Sequence, residues 1–111
     1  MALKPNEIRM VAGDTLPALR GTLTEDDGSP VDLTGAAVTL HINYGTPLVK
    51  TASIIDAAAG RWQVDWQPTD LVAGKWTYEI QIDDGFGGVR TWNRESATDK
   101  PLTLVVDAEV A

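Results

Sequence analysis

Residues 76–83 read WTYEIQID, and this stretch decides the fold. Trp76, Tyr78, Ile80 and Ile82 fall on one side of an extended chain, Thr77, Glu79, Gln81 and Asp83 on the other. Strict alternation of apolar and polar residues predicts a β-strand with one buried face. The same period extends outward in both directions. Upstream, Trp62, Val64 and Trp66 alternate with Gln63, Asp65 and Gln67, and Val38, Leu40 and Ile42 alternate with Thr39, His41 and Asn43. Leu19, Gly21 and Leu23 repeat the pattern more weakly, after a short strand through Ile8 and Met10. Downstream, Leu102, Leu104 and Val106 form one more apolar face.

Turn chemistry separates these runs. Asp27-Gly28 precedes Ser29-Pro30, Asn43-Tyr44-Gly45 precedes Pro47, Ala59-Gly60 precedes Arg61, and Asp84-Gly85 leads into Gly87-Gly88. Each supplies a residue that tolerates positive φ or a proline that ends pairing. LTGAA and IIDAAAG are too short for more than single helical turns. Pro17 cannot donate to a ladder, so it belongs at a strand start, an edge or a switch between sheets. The spacing of strands and turns predicts a single all-β domain over residues 1–111, an antiparallel two-sheet sandwich of about seven to eight strands.

Composition bounds what such a domain can do. The chain has 111 residues, 43% hydrophobic and 23% charged, within the globular range and enough for one core. It has no cysteine, which removes disulfides, thiolate metal sites and cysteine nucleophiles, and fits folding in a reducing cytoplasm. The net charge of −7 repels phosphate backbones, so nucleic acid is not an expected partner. MALKPNEIRM carries no apolar run of a secretory signal, and no stretch has the length of a membrane span.

Three motifs invite a chemical reading. Glu25, Asp26, Asp27 and Asp32 offer oxygen donors for a hard cation, but their spacing does not match a converging metal loop. They read instead as a polar hairpin turn, with Asp32 capping the turn at Leu33-Thr34-Gly35. His41 is the single histidine and faces away from Leu40 and Ile42, and Ser29, Ser53 and Ser96 lack a nucleophile-elbow context. GFGG, residues 85–88, lacks the lysine and the following helix of a phosphate cradle and reads as a hairpin tip. No catalytic residue, cofactor site or metal site is expected, and the domain is expected to fold without a metal.

The residues that stand out are of the kind that makes protein contacts. Trp62, Trp66 and Trp76 lie in the apolar phase of their strands and are expected in the core, with Trp76 between the sheets. Phe86 is a lone aromatic on the hairpin tip, either a contact residue or folded back on the sandwich end. In GVRTWNRES, Trp92 is out of phase with Val89 and stands between Arg90 and Arg94. That composition suits an interface hot spot, and a packing residue beneath a loop is the other reading. Phe86, Arg90, Trp92 and Arg94 are therefore the candidate partner-binding residues.

A family resemblance then adds to this reading. GDTLPALRGTLTEDDGSPVDLTGAAVTLHI resembles the opening of the N-terminal domain of phage baseplate upper proteins. Gly13-Asp14-Thr15, the turn from Asp27 to Ala36 and the strand from Val38 to Ile42 carry the likeness. WQPTDLVAGKWTYEIQI is similar to a second stretch of that family through Trp66, Thr69, Asp70, Ala73, Gly74, Trp76 and Tyr78. The resemblance implies an immunoglobulin-like sandwich used as a docking module on a phage particle. Tyr78 stands where an antibody-type domain would carry a cysteine. The chain ends soon after the strand at Val106, without the stalk and further domains usual in that family. The expectation is thus a non-enzymatic virion structural protein of a tailed bacteriophage, assembled in the host cytoplasm. Its expected partners are other virion proteins of the tail, neck or baseplate. The alternatives are a capsid decoration protein and a carbohydrate-binding host-attachment module using Trp92 and Phe86.

Overall fold

The computed structural model describes residues 7–25, 27–93 and 101–108. Among them are nine strands and no helix: β1 (Glu7–Val11), β2 (Leu19–Thr22), β3 (Ala37–Ile42), β4 (Leu48–Thr51), β5 (Ser53–Asp56), β6 (Arg61–Val64), β7 (Gly74–Asp83), β8 (Val89–Trp92) and β9 (Thr103–Asp107). They form two sheets. The larger runs β1-β9-β7-β3-β4, with β8 also paired to β7, and the smaller runs β2-β6-β5. The predicted inward residues do meet. Val38, Leu40 and Ile42 of β3, Tyr78, Ile80 and Ile82 of β7, and Trp62 and Val64 of β6 join one buried cluster with Leu102, Leu104 and Val106. The chain is an all-β, two-layer sandwich.

Four details depart from the expected picture. The outermost pair, β1 with β9, is parallel, so the sandwich is not antiparallel throughout. The strand count exceeds seven to eight because LVKTASIID forms β4 and β5, whose alternation is masked by exposed apolar residues at the sheet edges: Val49 is 52% exposed and Ile55 58%. The start of IIDAAAG, a stretch that could have formed at most a single helical turn, is thus strand. Trp76 is not sandwiched between the layers. It lies half-buried near the start of β7, its ring edge-on to Tyr44 at 4.9 Å, its indole N–H donating to the Val72 carbonyl at 2.8 Å.

Pro17 resolves as the switch between sheets, since β1 before it belongs to the larger sheet and β2 after it to the smaller. The chain crosses back at Ala52, buried between β4 and β5. Gly60 is required at its turn by both conformation and space. Its φ is +71°, and a Cβ there would stand 2.5 Å from the Leu23 carbonyl oxygen.

The edge beside β7 is built from two pieces. Trp92 of β8 faces Ile80, and Thr103 of β9 faces Thr77, so a short step along β7 is matched by a much longer excursion of the facing chain. The excursion is pinned at its base, where the Leu102 N–H donates to the Asn93 carbonyl at 3.0 Å and the Tyr78 N–H to the Leu102 carbonyl at 3.0 Å.

Candidate functional site

The β7–β8 hairpin ends in a loop that its own aspartates hold. The Asp84 N–H donates to the Gly88 carbonyl at 3.0 Å and closes the loop. Inside it, Asp84 Oδ1 accepts the N–H groups of Phe86 at 2.7 Å and Gly88 at 3.0 Å, while Asp83 Oδ1 accepts the Gly85 N–H at 2.9 Å. Aspartate is suited to this because its short side chain reaches backbone donors two residues on. Gly85 and Gly87 supply the positive φ values, +81° and +89°. The N–H groups of Gly85, Phe86 and Gly88 are thus satisfied internally, and Phe86 projects from the tip 96% exposed. Of the two readings open for Phe86, folding back is eliminated. Val89, beside it at the start of β8, is 55% exposed.

Trp92 requires a correction. It is 5% exposed and belongs to the core. The register explains why: Trp92 lies opposite Ile80 and Arg90 opposite Ile82, so both share the inward phase of β7, whereas Val89 and Thr91 point outward. Trp92 is out of phase with Val89 because Val89, not Trp92, is the outward residue. Arg90 sits at the rim of the inner face and covers the indole, its guanidinium 4.6 Å from the ring centre. From there it reaches the facing hairpin and pairs with Glu25 through two bonds, at 2.7 and 3.1 Å. Such a stacked, forked contact contributes roughly 0.5–1 kcal/mol at a half-exposed position. Arg94 lies outside the described residues. Of the four candidate residues, the fold thus places Phe86 on the surface and combines Arg90 and Trp92 in a lid-and-core pair. A saccharide platform of Trp92 and Phe86 loses its larger ring to the interior.

The acidic stretch lies at the same end of the molecule. Glu25 meets Arg90, and a Cβ on Gly85 would lie 3.5 Å from the Gly35 carbonyl oxygen, so the turn after Asp32 backs onto the hairpin tip. Asp27 Oδ1 accepts from the Ser29 hydroxyl and N–H, at 2.6 and 2.9 Å, and Asp32 Oδ1 does the same with Thr34 at the same distances. These bonds, the hydroxyl first, hold both carboxyls below the usual aspartate range and keep them ionised. Among the described residues, no group of three or more His, Asp or Glu side chains is placed to hold a metal ion. Glu25 as the partner of Arg90, and Asp83 and Asp84 as the scaffold of Phe86, escaped the sequence reading. Only the Asp-Asp-Gly repetition in EDDG and DDGFGG hinted at the latter.

The opposite end of β7 has its own polar cluster. Asp70 Oδ2 accepts the Gln67 N–H at 2.7 Å and pairs with Lys50 at 2.8 Å, with side chains only 10% and 18% exposed. The Tyr44 hydroxyl donates to the Asp70 carbonyl at 2.8 Å and accepts the Val72 N–H at 3.3 Å. Burial pushes the Tyr44 phenol above its ordinary range. On the outer face of the larger sheet, Asn43, Thr77, Glu79, Asn93 and Pro101 line a hollow of about 220 Å³ at the junction of β8 and β9. Compared with family models, with curated proteins and with solved structures, the chain matches none.

Proposed function

We propose that this chain is a non-enzymatic structural protein of a tailed-phage virion, an immunoglobulin-like docking module attached to the tail, neck or baseplate. The observation that carries this reading is the β7–β8 tip, an aromatic side chain held out to solvent on a loop that Asp83 and Asp84 cap. A preorganised contact residue loses little conformational freedom on association, which favours docking over chemistry. The likeness of the Asp27–Ala36 turn and the Trp66–Tyr78 stretch to phage baseplate upper proteins supplies the particle. Its partners would be other virion proteins rather than nucleic acid or membrane, consistent with a net charge of −7. Many copies on one particle would turn a modest single contact into firm attachment. Attachment to the head as a capsid decoration protein is the neighbouring alternative.

The test is mass spectrometry of purified particles with copy number per particle, for the wild type and for Phe86→Ser. The chain is expected at a fixed, symmetric copy number that falls at least ~10-fold in the variant, as expected when an aromatic anchor of ~2 kcal/mol is lost at each contact. Absence of the wild-type chain from particles overturns the assignment.

A further inference from the structure

The partner's chemistry follows from what surrounds Phe86, and this inference rests on the docking role just proposed. The sequence pointed to a cationic face of Arg90 and Arg94. Among the described residues, which leave out Arg94, that sign is reversed at the tip. Arg90 is turned inward over Trp92 and engaged with Glu25. Around the hairpin end stand the carboxylates of Asp83 and Asp84, which cap the tip, and of Asp32, whose turn backs onto Gly85. Asp27, on the facing hairpin that also carries Glu25, is exposed and ionised. Farther round the same end, Arg61 lies opposite Asp56 in the β5–β6 ladder. Among the described residues, Arg90 thus turns its charge away from the tip, whereas Asp27, Asp32, Asp83 and Asp84 are held there by short capping bonds from neutral donors.

We infer that the tip is a phenyl knob in an acidic collar, and that it docks into a partner protein presenting an apolar socket rimmed by lysine or arginine. The phenyl ring and Val89 supply the apolar contact, and the collar supplies selectivity. A socket with an acidic rim is repelled, and a basic rim speeds encounter and fixes orientation. Backbone N–H and hydroxyl donors hold the collar carboxylates in fixed positions, so the partner meets a collar of defined geometry.

Site-specific photocrosslinking in gently prepared lysates of the cells that produce the chain tests this. The full chain carries p-benzoylphenylalanine in place of Phe86 or, as a comparison on the outer face of β4, in place of Val49. Both positions are exposed, so the fold survives, and circular dichroism verifies it. The expected result is an adduct from position 86 only, on a peptide with lysine or arginine beside the crosslinked residue. Its yield should fall ~5-fold or more when salt is raised from about 50 to about 500 mM before irradiation, as the collar is screened. No adduct from position 86, adducts on peptides without basic residues, or a yield indifferent to salt overturns the inference. Adducts to virion proteins from position 49 alone leave the virion assignment standing and remove the tip. A salt-sensitive adduct from position 86 to a basic socket on a non-virion protein does the reverse.

Discussion

The two ends of β7, roughly 30 Å apart along the strand, make a useful comparison. At the start of the strand, Trp76 meets Tyr44, and Asp70 closes a loop while pairing with Lys50. At its finish, Phe86 is 96% exposed, and Asp83 and Asp84 close a loop while remaining in water. The ingredients are the same, an aromatic ring and an aspartate-capped loop. In the first, the rings cover each other and the ion pair is nearly buried, so the cluster joins the core to the loops. In the second, capping satisfies the backbone without drawing the ring inward. Aspartate capping therefore fixes a loop's shape, and burial decides whether that shape serves stability or contact.

The largest expected effect is at the lid-and-core pair beside the tip. Trp92→Ala should destabilise by ~3–5 kcal/mol, the range for removing a buried large aromatic. Urea unfolding measures it, and a loss under about 1 kcal/mol means the indole is not in the core. Next comes Asp70→Ala at the other end, expected to cost ~3 kcal/mol. It strands Lys50 in a mostly buried position and frees the Gln67 N–H. Removing both partners in a Lys50→Met, Asp70→Ala variant should recover part of that loss, and a strictly additive result would show that the pair is not coupled.

The two core-facing tyrosines sharpen the contrast further. The Tyr44 hydroxyl makes two hydrogen bonds, so Tyr44→Phe should cost ~1 kcal/mol. Tyr78 is 2% exposed and its hydroxyl, among the described residues, has no partner. Burial accordingly pushes its phenol far above the ordinary range. Tyr78→Phe removes a desolvated hydroxyl and should be neutral or stabilising in the same titration. A loss at Tyr78 comparable with that at Tyr44 would break the distinction. Phe86→Ser should leave unfolding within about 0.5 kcal/mol of wild type, as for surface changes away from structural features.

The smallest effect is one of pH. Asp27 and Asp32 have folded pKa values below their unfolded ones, so their contribution to stability is present above the unfolded value, near 4. It is lost as pH falls through the folded values. Carboxyl-detected NMR should show both titrating below the ordinary aspartate value near 4; midpoints at or above that value would remove the turn-capping account.

Much of the fold was legible in the sequence because the central strands bury one face. Alternation at residues 38–42, 62–66 and 76–82 is a direct imprint of that geometry. What stayed hidden lies where burial is partial. At the sheet edges, Val49 and Ile55 keep apolar side chains in water and erase the period of β4 and β5. Trp76 has the correct phase yet lies near a strand end, and phase carries no information on depth. At Trp92 the misleading signal was Arg90, a charged residue in the inward phase at a rim, where its guanidinium can still reach water and Glu25. Phe86 was singled out by composition, but its exposure depends on capping bonds that the sequence does not display.

The break between β8 and β9 has a consequence for how this domain can change. The departing and returning chain are stitched together by the Leu102–Asn93 bond, and both flanks keep their pairing to β7. The ladder therefore places no demand on how many residues intervene. Lineages could lengthen, shorten or replace that excursion while the sandwich is inherited intact. The same seam offers a protein engineer a graft point for a foreign peptide, with its two ends already anchored side by side.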